Sequence, residues 1–220
     1  MMQAQNRFEE FFWNQSKTCI VHKWHHYLKI YHHHFSRFID KNPVILEIGM
    51  GDGGSAEMWN YYFEGKCTIY GVDVAPACLK IPERLQASNI FVELGDQGDA
   101  KFWQKYLMNK PKFDVVIDDG GHMMHQQIVA FEQVYDHVSD EGVYLCEDLH
   151  TSYMQHFGGG LKKEDSFIEY SKNFIDELHT QYFGNKQLSK FRQMTESVHY
   201  YDSVIVLEKG KRSMSVATRH

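Results

Sequence analysis

Apolar residues follow two patterns along this chain, one typical of helices and one typical of buried strands, and the two patterns alternate. In the first forty residues, large apolar side chains recur every three or four positions, as they do on one face of a helix. From residue 44 onward, short apolar runs of the kind that form buried strands occupy residues 44–48, 68–72, 90–94, 113–117 and 143–146. Segments with helical spacing separate them, at residues 55–63, 100–107 and 122–138. This alternation predicts a parallel sheet with helices on both faces.

The chain ends with a different pattern. A long helix is predicted over about residues 165–182, and two β-rich runs follow at residues 197–201 and 203–207. Because almost nothing joins these runs, they can pair only as antiparallel strands. We therefore predict an α/β fold with a Rossmann-like, doubly wound and mostly parallel sheet, an antiparallel C-terminal hairpin and a preceding N-terminal helix. All 220 residues are expected to form one domain, with a helical segment at 1–42, a core at 43–210 and a tail at 211–220.

Composition narrows the class of protein. Hydrophobic residues make up 43% of the chain and aromatic residues 15%, which favours a packed globule. A formal net charge of −6 gives no electrostatic case for nucleic acid binding, and no apolar run approaches the roughly 20 residues that span a membrane. The polar N-terminus does not resemble a secretory signal, and the four scattered cysteines are expected to be reduced. We therefore expect a cytoplasmic protein with small-molecule partners, and oligomeric state stays open.

A glycine-rich turn follows the first predicted strand. The pattern Gly49-x-Gly51-x-x-Gly54 would let a ligand approach the backbone, and Asp73, about 20 residues on, could accept hydrogen bonds from ribose hydroxyls. Both features suit NAD and S-adenosylmethionine equally, and a turn that serves only packing is the alternative. Acids at the ends of the first and third strands favour S-adenosylmethionine, with Asp96 and Gln97 placed for its adenine. The predicted cofactor-binding residues are Lys23, His26, Tyr27, Glu47, Gly49, Met50, Gly51, Gly53, Asp73, Val74, Asp96, Gln97 and Asp118.

Carboxylates also gather where two neighbouring strands should end. Asp118 and Asp119 close the fourth strand, and Glu147 and Asp148 follow the fifth. Like charges this close are costly unless a cation joins them, and three carboxylates with room for water suit Mg²⁺. We predict that Asp119, Glu147 and Asp148 bind the metal and that His122 is a general base. The alternatives are that Asp118 or Asp119 only caps the following helix and that His122 is structural.

Two other segments have weaker signals. Six histidines, expected on the water-facing side of the first helix, have spacings that would in principle allow metal binding; they are His22, His25, His26, His32, His33 and His34. Of these, we assign a site role only to His26, beside Lys23 and Tyr27. The Gly158-Gly159-Gly160 stretch is interpreted either as a substrate lid or as an ordinary flexible connection, and residues 158–188 are expected to shape the choice of acceptor.

Together, these motifs resemble class I S-adenosylmethionine-dependent methyltransferases. The similarity is greatest to the metal-dependent macrocin and mycinamicin sugar O-methyltransferases and their cephalosporin-hydroxylase-like relatives. It covers about residues 23–209 and includes the stretches that begin at Lys23, Leu46, Gly71, Ile117, Glu147 and His199. The resemblance implies seven strands with the last antiparallel, Mg²⁺ on Asp119, Glu147 and Asp148, and proton removal from a sugar hydroxyl by His122.

The resulting hypothesis is Mg²⁺-dependent O-methylation of a sugar hydroxyl in a glycan or glycosylated metabolite, with Asp118 or a neighbour steering His122. A catechol-type acceptor stays open, since its vicinal hydroxyls would chelate the same metal. An NAD-dependent dehydrogenase has Tyr/Lys spacings in its favour, at Tyr106-x-x-x-Lys110 and at Tyr182 with residue 186. The first pair comes before the fourth strand, however, and the second spans a glycine. A non-catalytic module that binds an adenosyl ligand would not need the acids.

Overall fold

A seven-stranded sheet lies at the centre of the computed structural model, which describes residues 3–183 and 189–219. Its strands are β1 (Val44–Ile48), β2 (Thr68–Asp73), β3 (Ile90–Leu94), β4 (Phe113–Asp118), β5 (Val138–Cys146), β6 (Thr195–Tyr201) and β7 (Val204–Lys209). The spatial order is β3-β2-β1-β4-β5-β7-β6. The first five strands pair in parallel, and β7 is antiparallel to both β5 and β6. The predicted fold class is confirmed.

Helices cover both faces of the sheet. They are α1 (Arg7–Asn14), α2 (Tyr27–Phe35), α3 (Gly54–Tyr62), α4 (Ile81–Arg84), α5 (Ala100–Leu107), α6 (Met124–Val134), α7 (Phe167–Leu178) and α8 (Lys190–Met194). One apolar core lies between the sheet and α1–α3 and includes Trp59; the other lies under α5–α7 and includes Trp103. Because β1, β4, β7 and the second half of β5 are buried on both faces, their sequences are largely continuous apolar runs rather than alternating ones.

The predicted N-terminal helix is present, but the first forty residues form two helices, α1 and α2, rather than one. Residues 15–26 form no helix and separate α1 from α2. This segment, which we call the strap, is held from outside: the Glu57 side chain accepts the backbone N–H groups of Thr18 and Cys19, and Asp52 accepts that of Ile20 at 2.7 Å. Carboxylates far away in sequence therefore replace the internal hydrogen bonds of a helix.

The histidine cluster does not share one helix face either. His22 and His25 lie in the strap, and His26 precedes the first residue of α2. His34, expected to face water, has no exposed surface and is part of the contact between α2 and the β6–β7 hairpin.

The other boundaries differ mainly where tertiary contacts extend or end an element. β5 begins at Val138 rather than at residue 143, α6 ends at Val134 in a short 3₁₀ turn, and α7 ends at Leu178. Gly158, Gly159 and Gly160 each donate a backbone hydrogen bond to a residue within 152–155, so this stretch has an ordered form. Its use as a lid stays a prediction.

The end of the predicted acceptor-shaping segment, at residues 184–188, lies outside the described residues, as does residue 186 of the second Tyr/Lys pair. Within the described residues no helix is long and apolar enough to cross a membrane.

Candidate functional site

The carboxyl ends of the central strands open into a cleft of about 410 Å³. Parallel α/β sheets place ligands at this edge. The predicted site residues that line the cleft are Lys23, Tyr27, Gly49, Met50, Gly51, Asp73, Val74, Gln97, Asp119, His122, Glu147 and Asp148. The predicted residues outside the lining are His26, Glu47, Gly53, Asp96 and Asp118. Most of the predicted site residues therefore line the cleft, but the sequence did not distinguish them from the residues that lie behind its wall.

The glycine turn forms one end of the cleft. Gly49 has φ +87°, and a Cβ atom there would lie 2.2 Å from the backbone oxygen of Asp119, so only glycine lets β1 and β4 end this close together. Asp73 supports the turn from the next strand, because one carboxylate oxygen accepts the backbone N–H of Met50 at 2.8 Å and of Gly51 at 3.2 Å. Val74, which follows Asp73, is 66% exposed. This end combines backbone donors, a carboxylate and an apolar wall, which suits a nucleoside.

Asp118 and Gln97 form a buried hydrogen-bonded pair beside the cleft. Gln97 Nε2 donates to Asp118 Oδ1 at 2.5 Å, and Gln97 Oε1 accepts the backbone N–H of Gly121 at 2.9 Å. The other Asp118 oxygen accepts the hydroxyl of Tyr144 at 2.9 Å. Burial raises the pKa of Asp118 to about 7. These partners occupy both oxygens of Asp118, which favours the other option that we predicted, that a neighbour of Asp118 steers His122.

Four other predicted cofactor residues have structural contacts that explain their place outside the lining. Buried Glu47 accepts the indole N–H of Trp59 at 3.1 Å, and burial raises its pKa to about 7. Asp96 closes a turn by accepting the backbone N–H of Gly98. A Cβ atom on Gly53 would lie 2.8 Å from a side-chain carbon of Ile81, and His26 Nε2 lies 3.0 Å from the backbone oxygen of Asp202.

Acids and a histidine meet at the other end of the cleft. His122 Nε2 lies 3.5 Å from Asp148 Oδ2 and 3.8 Å from Asp119 Oδ1, and one ligand atom from each of the three residues lies within 4.8 Å of the others. In the part of the chain described, the buried Nδ1 of His122 has no hydrogen-bond partner. Neither Asp118 nor Asp119 caps α6, whose N-cap is Met123, so the capping alternative is wrong.

Two of these residues have strained backbones. His122 has φ +57° and Asp148 has φ +56°, in the left-handed region that non-glycine residues rarely adopt. Such strain persists only where the surrounding structure imposes it, and it is concentrated at functional sites. The Asp148 side chain is fixed by Tyr27, whose hydroxyl donates to Oδ1 at 2.8 Å.

Lys23 crosses from the strap into the acid cluster. Its ammonium lies 2.5 Å from Asp119 Oδ2 and 2.8 Å from Glu147 Oε2, and its side chain is 3% exposed. Burial alone would lower the pKa of Lys23, but the charges of Asp119, Glu147 and Glu47 outweigh it and hold that pKa above its ordinary value. The hydroxyl of Tyr31 donates to the remaining Glu147 oxygen at 2.6 Å. Sequence reasoning missed Tyr31, although its position one helical turn after Tyr27 put both on one face of α2.

The donor set fits a hard divalent cation. Asp119 offers Oδ1 on the side away from Lys23, and Asp148 offers Oδ2; carboxylate oxygens that leave room for water suit Mg²⁺. Glu147 differs from the prediction in its placement, since both of its oxygens contact Lys23 or Tyr31. Its role as a metal ligand stays a prediction.

The first of the two Tyr/Lys pairs, Tyr106 and Lys110, does not line the cleft. Tyr106 is buried on α5, and its ring stacks at 5.4 Å on Phe102, while Lys110 forms an ion pair with Glu93. A hydride-transfer site would need these groups beside the nucleoside, so this pair gives the dehydrogenase alternative no support.

The strand order, the reversed last strand and the cleft at the strand ends define the class I methyltransferase fold. The chain is homologous to the sugar O-methyltransferases within this class. It is 33% identical over 204 residues to the 8-demethyl-8-(2-methoxy-alpha-L-rhamnosyl)-tetracenomycin-C 3'-O-methyltransferase of Streptomyces olivaceus, which covers 86% of this chain and 50% of the relative. Demethylmacrocin O-methyltransferase of Streptomyces fradiae is 28% identical over 207 residues, which cover 87% of this chain and 51% of that relative.

A solved structure agrees with these relatives. The MycE methyltransferase from the mycinamycin biosynthetic pathway, in complex with Mg, SAH and mycinamycin VI, has a TM-score of 0.78 and 28% identity, over 87% of this chain and 50% of that one. The chain therefore spans about half the length of the relatives it matches. No protein-family model matches it.

Proposed function

We propose that this chain is a Mg²⁺-dependent O-methyltransferase that transfers the methyl group of S-adenosylmethionine to a sugar hydroxyl of a small-molecule glycoside. The observation that carries the proposal is the convergence of Asp119, His122 and Asp148 at one end of a cleft whose other end is the glycine turn with Asp73. A relative supports the acceptor class, since the Streptomyces olivaceus enzyme named above is, by its name, an O-methyltransferase of a rhamnosyl-tetracenomycin.

The glycine-turn end of the cleft would bind the nucleoside. S-adenosylmethionine supplies a methyl group on a sulfonium, which is already activated for displacement. Asp73 Oδ2 holds the turn through Met50 and Gly51, and Oδ1 accepts the N–H of Ala75, which leaves one lone pair of Oδ1 to accept a ribose hydroxyl. Val74 would pack against the adenine, and Gln97, with both amide atoms engaged by Asp118 and Gly121, would keep the adjacent wall rigid.

The acid end would bind and deprotonate the acceptor. Asp119 and Asp148 would hold Mg²⁺, which lowers the free energy needed to form an alkoxide from a hydroxyl. His122 Nε2, the ring nitrogen nearest to both acids, would take the proton from the attacking hydroxyl. The oxygen–methyl bond forms as the sulfur–methyl bond breaks, and the proton remains on His122. Buried Lys23 would hold Asp119 and Glu147 in place during this step.

A direct test is methyl transfer from labelled S-adenosylmethionine to a panel of rhamnosides, other vicinal-diol sugars and catechols, with Mg²⁺ and with EDTA. We expect transfer to a sugar and its loss in EDTA. Methyl transfer at the same rate with and without EDTA would show that the reaction needs no metal. Transfer to catechols alone would replace the proposed acceptor class.

A further inference from the structure

Trp24 is a large apolar side chain that the fold leaves open to water inside the cleft. It lies in the strap directly after Lys23, lines the cleft, and is 53% exposed. Two of the other tryptophans, Trp59 and Trp103, have no exposed surface, and Trp13 is partly buried, with its ring centroid 4.4 Å from that of His25. An indole exposed inside a cleft offers an apolar surface to a ligand that binds there.

The neighbours of Trp24 place it at the acid end. Its ring centroid lies 5.9 Å from that of His150, two residues after Asp148, and 6.1 Å from that of His26. The backbone on either side is anchored to the cluster, since Lys23 binds Asp119 and Tyr27 donates to Asp148. The position of the indole is therefore set by the same groups that form the acid cluster.

Among the described residues of the lining, the other large apolar side chains left exposed lie at the nucleoside end. Ile20 passes over the glycine turn, where its N–H binds Asp52 and its backbone oxygen would lie 2.1 Å from a Cβ atom on Gly54. Val74 follows Asp73. Trp24 is thus the apolar surface available to whatever binds beside Asp119, His122 and Asp148.

A sugar ring suits both surfaces at this end of the cleft, the carboxylates and the exposed indole of Trp24. Its hydroxyls project around the edge and suit the carboxylates, while the C–H groups of one face form an apolar patch about the size of an aromatic ring. A tryptophan offers a rigid apolar plane to such a face at little cost in side-chain entropy.

We propose that Trp24 is a specificity-determining residue that packs against the apolar face of the acceptor sugar. This inference rests on the proposed function and deepens it. It separates two parts of acceptor binding: the acids and His122 bind the reacting edge, and Trp24 recognises the ring.

The kinetic test compares Trp24→Ala and Trp24→Phe with Trp13→Phe as the matched control, all in the full chain. For a sugar that the wild type methylates, we expect Trp24→Ala to raise KM about tenfold with kcat within about twofold, Trp24→Phe to lie between, and Trp13→Phe to match the wild type. Calorimetry should give all variants the same SAH affinity. An unchanged KM in Trp24→Ala, or SAH binding weakened as much as acceptor binding, would overturn the proposal.

A binding test does not depend on turnover. Methyl α-L-rhamnopyranoside should change the fluorescence of the wild type and of Trp13→Phe, and the change should be lost in Trp24→Phe, because the buried Trp59 and Trp103 cannot contact it. A sugar response through Trp24 without methyl transfer would refute the proposed function while supporting this inference. Methyl transfer to a sugar without a fluorescence response that depends on Trp24 would support the proposed function and refute the role of Trp24.

Discussion

Among the residues that the structure describes, two clusters combine histidine with carboxylate side chains, and they differ in what surrounds them. Asp119, His122 and Asp148 form one, at the carboxyl edge of the sheet; His34, His199 and Glu208 form the other, between α2 and the C-terminal hairpin. In each cluster the ligand atoms lie within 4.8 Å of one another. The spacing of the ligand atoms therefore does not distinguish them.

Hydrogen bonding does distinguish them. Both ring nitrogens of buried His34 are occupied, by Glu208 Oε1 at 2.6 Å and the Tyr201 hydroxyl at 2.9 Å, and Arg37 donates to the same Glu208 oxygen at 2.9 Å. A cation there would have to displace these bonds and lie beside the Arg37 charge. His122, by contrast, lines an open cleft and contacts its acids only at 3.5 Å or more.

The comparison shows two uses of similar groups. A cluster whose polar atoms all have hydrogen-bond partners connects structural elements, whereas a cluster with a strained backbone and an unpaired ring nitrogen can bind a ligand or take a proton. The His34 cluster ties α2, which provides Tyr27 and Tyr31, to the strands beside β5. The first cluster then uses the geometry that this joint helps to fix.

Removing the histidine of the open cluster should have the largest effect on activity. We expect His122→Ala to lower kcat by about 10²- to 10⁴-fold, because a positioned general base contributes on that order. Single-turnover methyl transfer would measure this, and SAH affinity should stay at the wild-type value. Retained turnover would show that the proton goes to another group.

Changing an acid of the same cluster should weaken cation binding. We expect Asp148→Asn to reduce Mg²⁺ affinity by at least about tenfold, because the amide lacks the charge that a hard cation requires. Calorimetric titration with Mg²⁺ measures this effect directly. Glu208→Gln is the matched change in the satisfied cluster and should leave Mg²⁺ affinity unchanged; equal losses in both variants would erase the distinction between the clusters.

Breaking the satisfied cluster should cost stability instead. His34→Ala leaves Tyr201 and Glu208 without their buried partner, which should lower the free energy of unfolding by about 1–3 kcal/mol. Urea denaturation of the variant and the wild type gives this value. Folded His34→Ala at saturating substrate should methylate within about threefold of the wild type, and a loss as deep as that of His122→Ala would assign the cluster a part in the chemistry.

The smallest effect should be a pH dependence confined to the satisfied cluster. The hydrogen bond from His34, aided by Arg37, holds the pKa of Glu208 at about 2 against the opposing effect of burial. Because the ordinary value of 4.5 applies to the unfolded chain, the stabilisation is complete above pH 4.5 and is lost as the pH falls toward 2. The stability difference between the wild type and Glu208→Gln, measured by denaturation from pH 7 to 3, should therefore shrink below about pH 4.5. A difference that is constant with pH would mean that Glu208 does not titrate in this range.

Local pattern was enough to predict much of this protein. The bounds of β1, β3 and α5 agree with the predicted segments because a local run or spacing of apolar residues marks each of them in the sequence. The acids could also be placed, since the carboxyl ends of parallel strands meet at one edge whatever the details of packing. The fold class and the position of the cleft follow from these two facts.

Only the tertiary structure decided which polar groups face that cleft. Asp118 and Asp119 are adjacent in sequence, yet one binds Gln97 and Tyr144 in the interior while the other lies in the cleft beside His122. The strap is non-helical because side chains more than 30 positions away accept its N–H groups. Lys23 reaches Glu147 across 124 positions. Periodicity reports which face of an element is buried, but such pairings depend on where distant elements meet, and no local pattern encodes that.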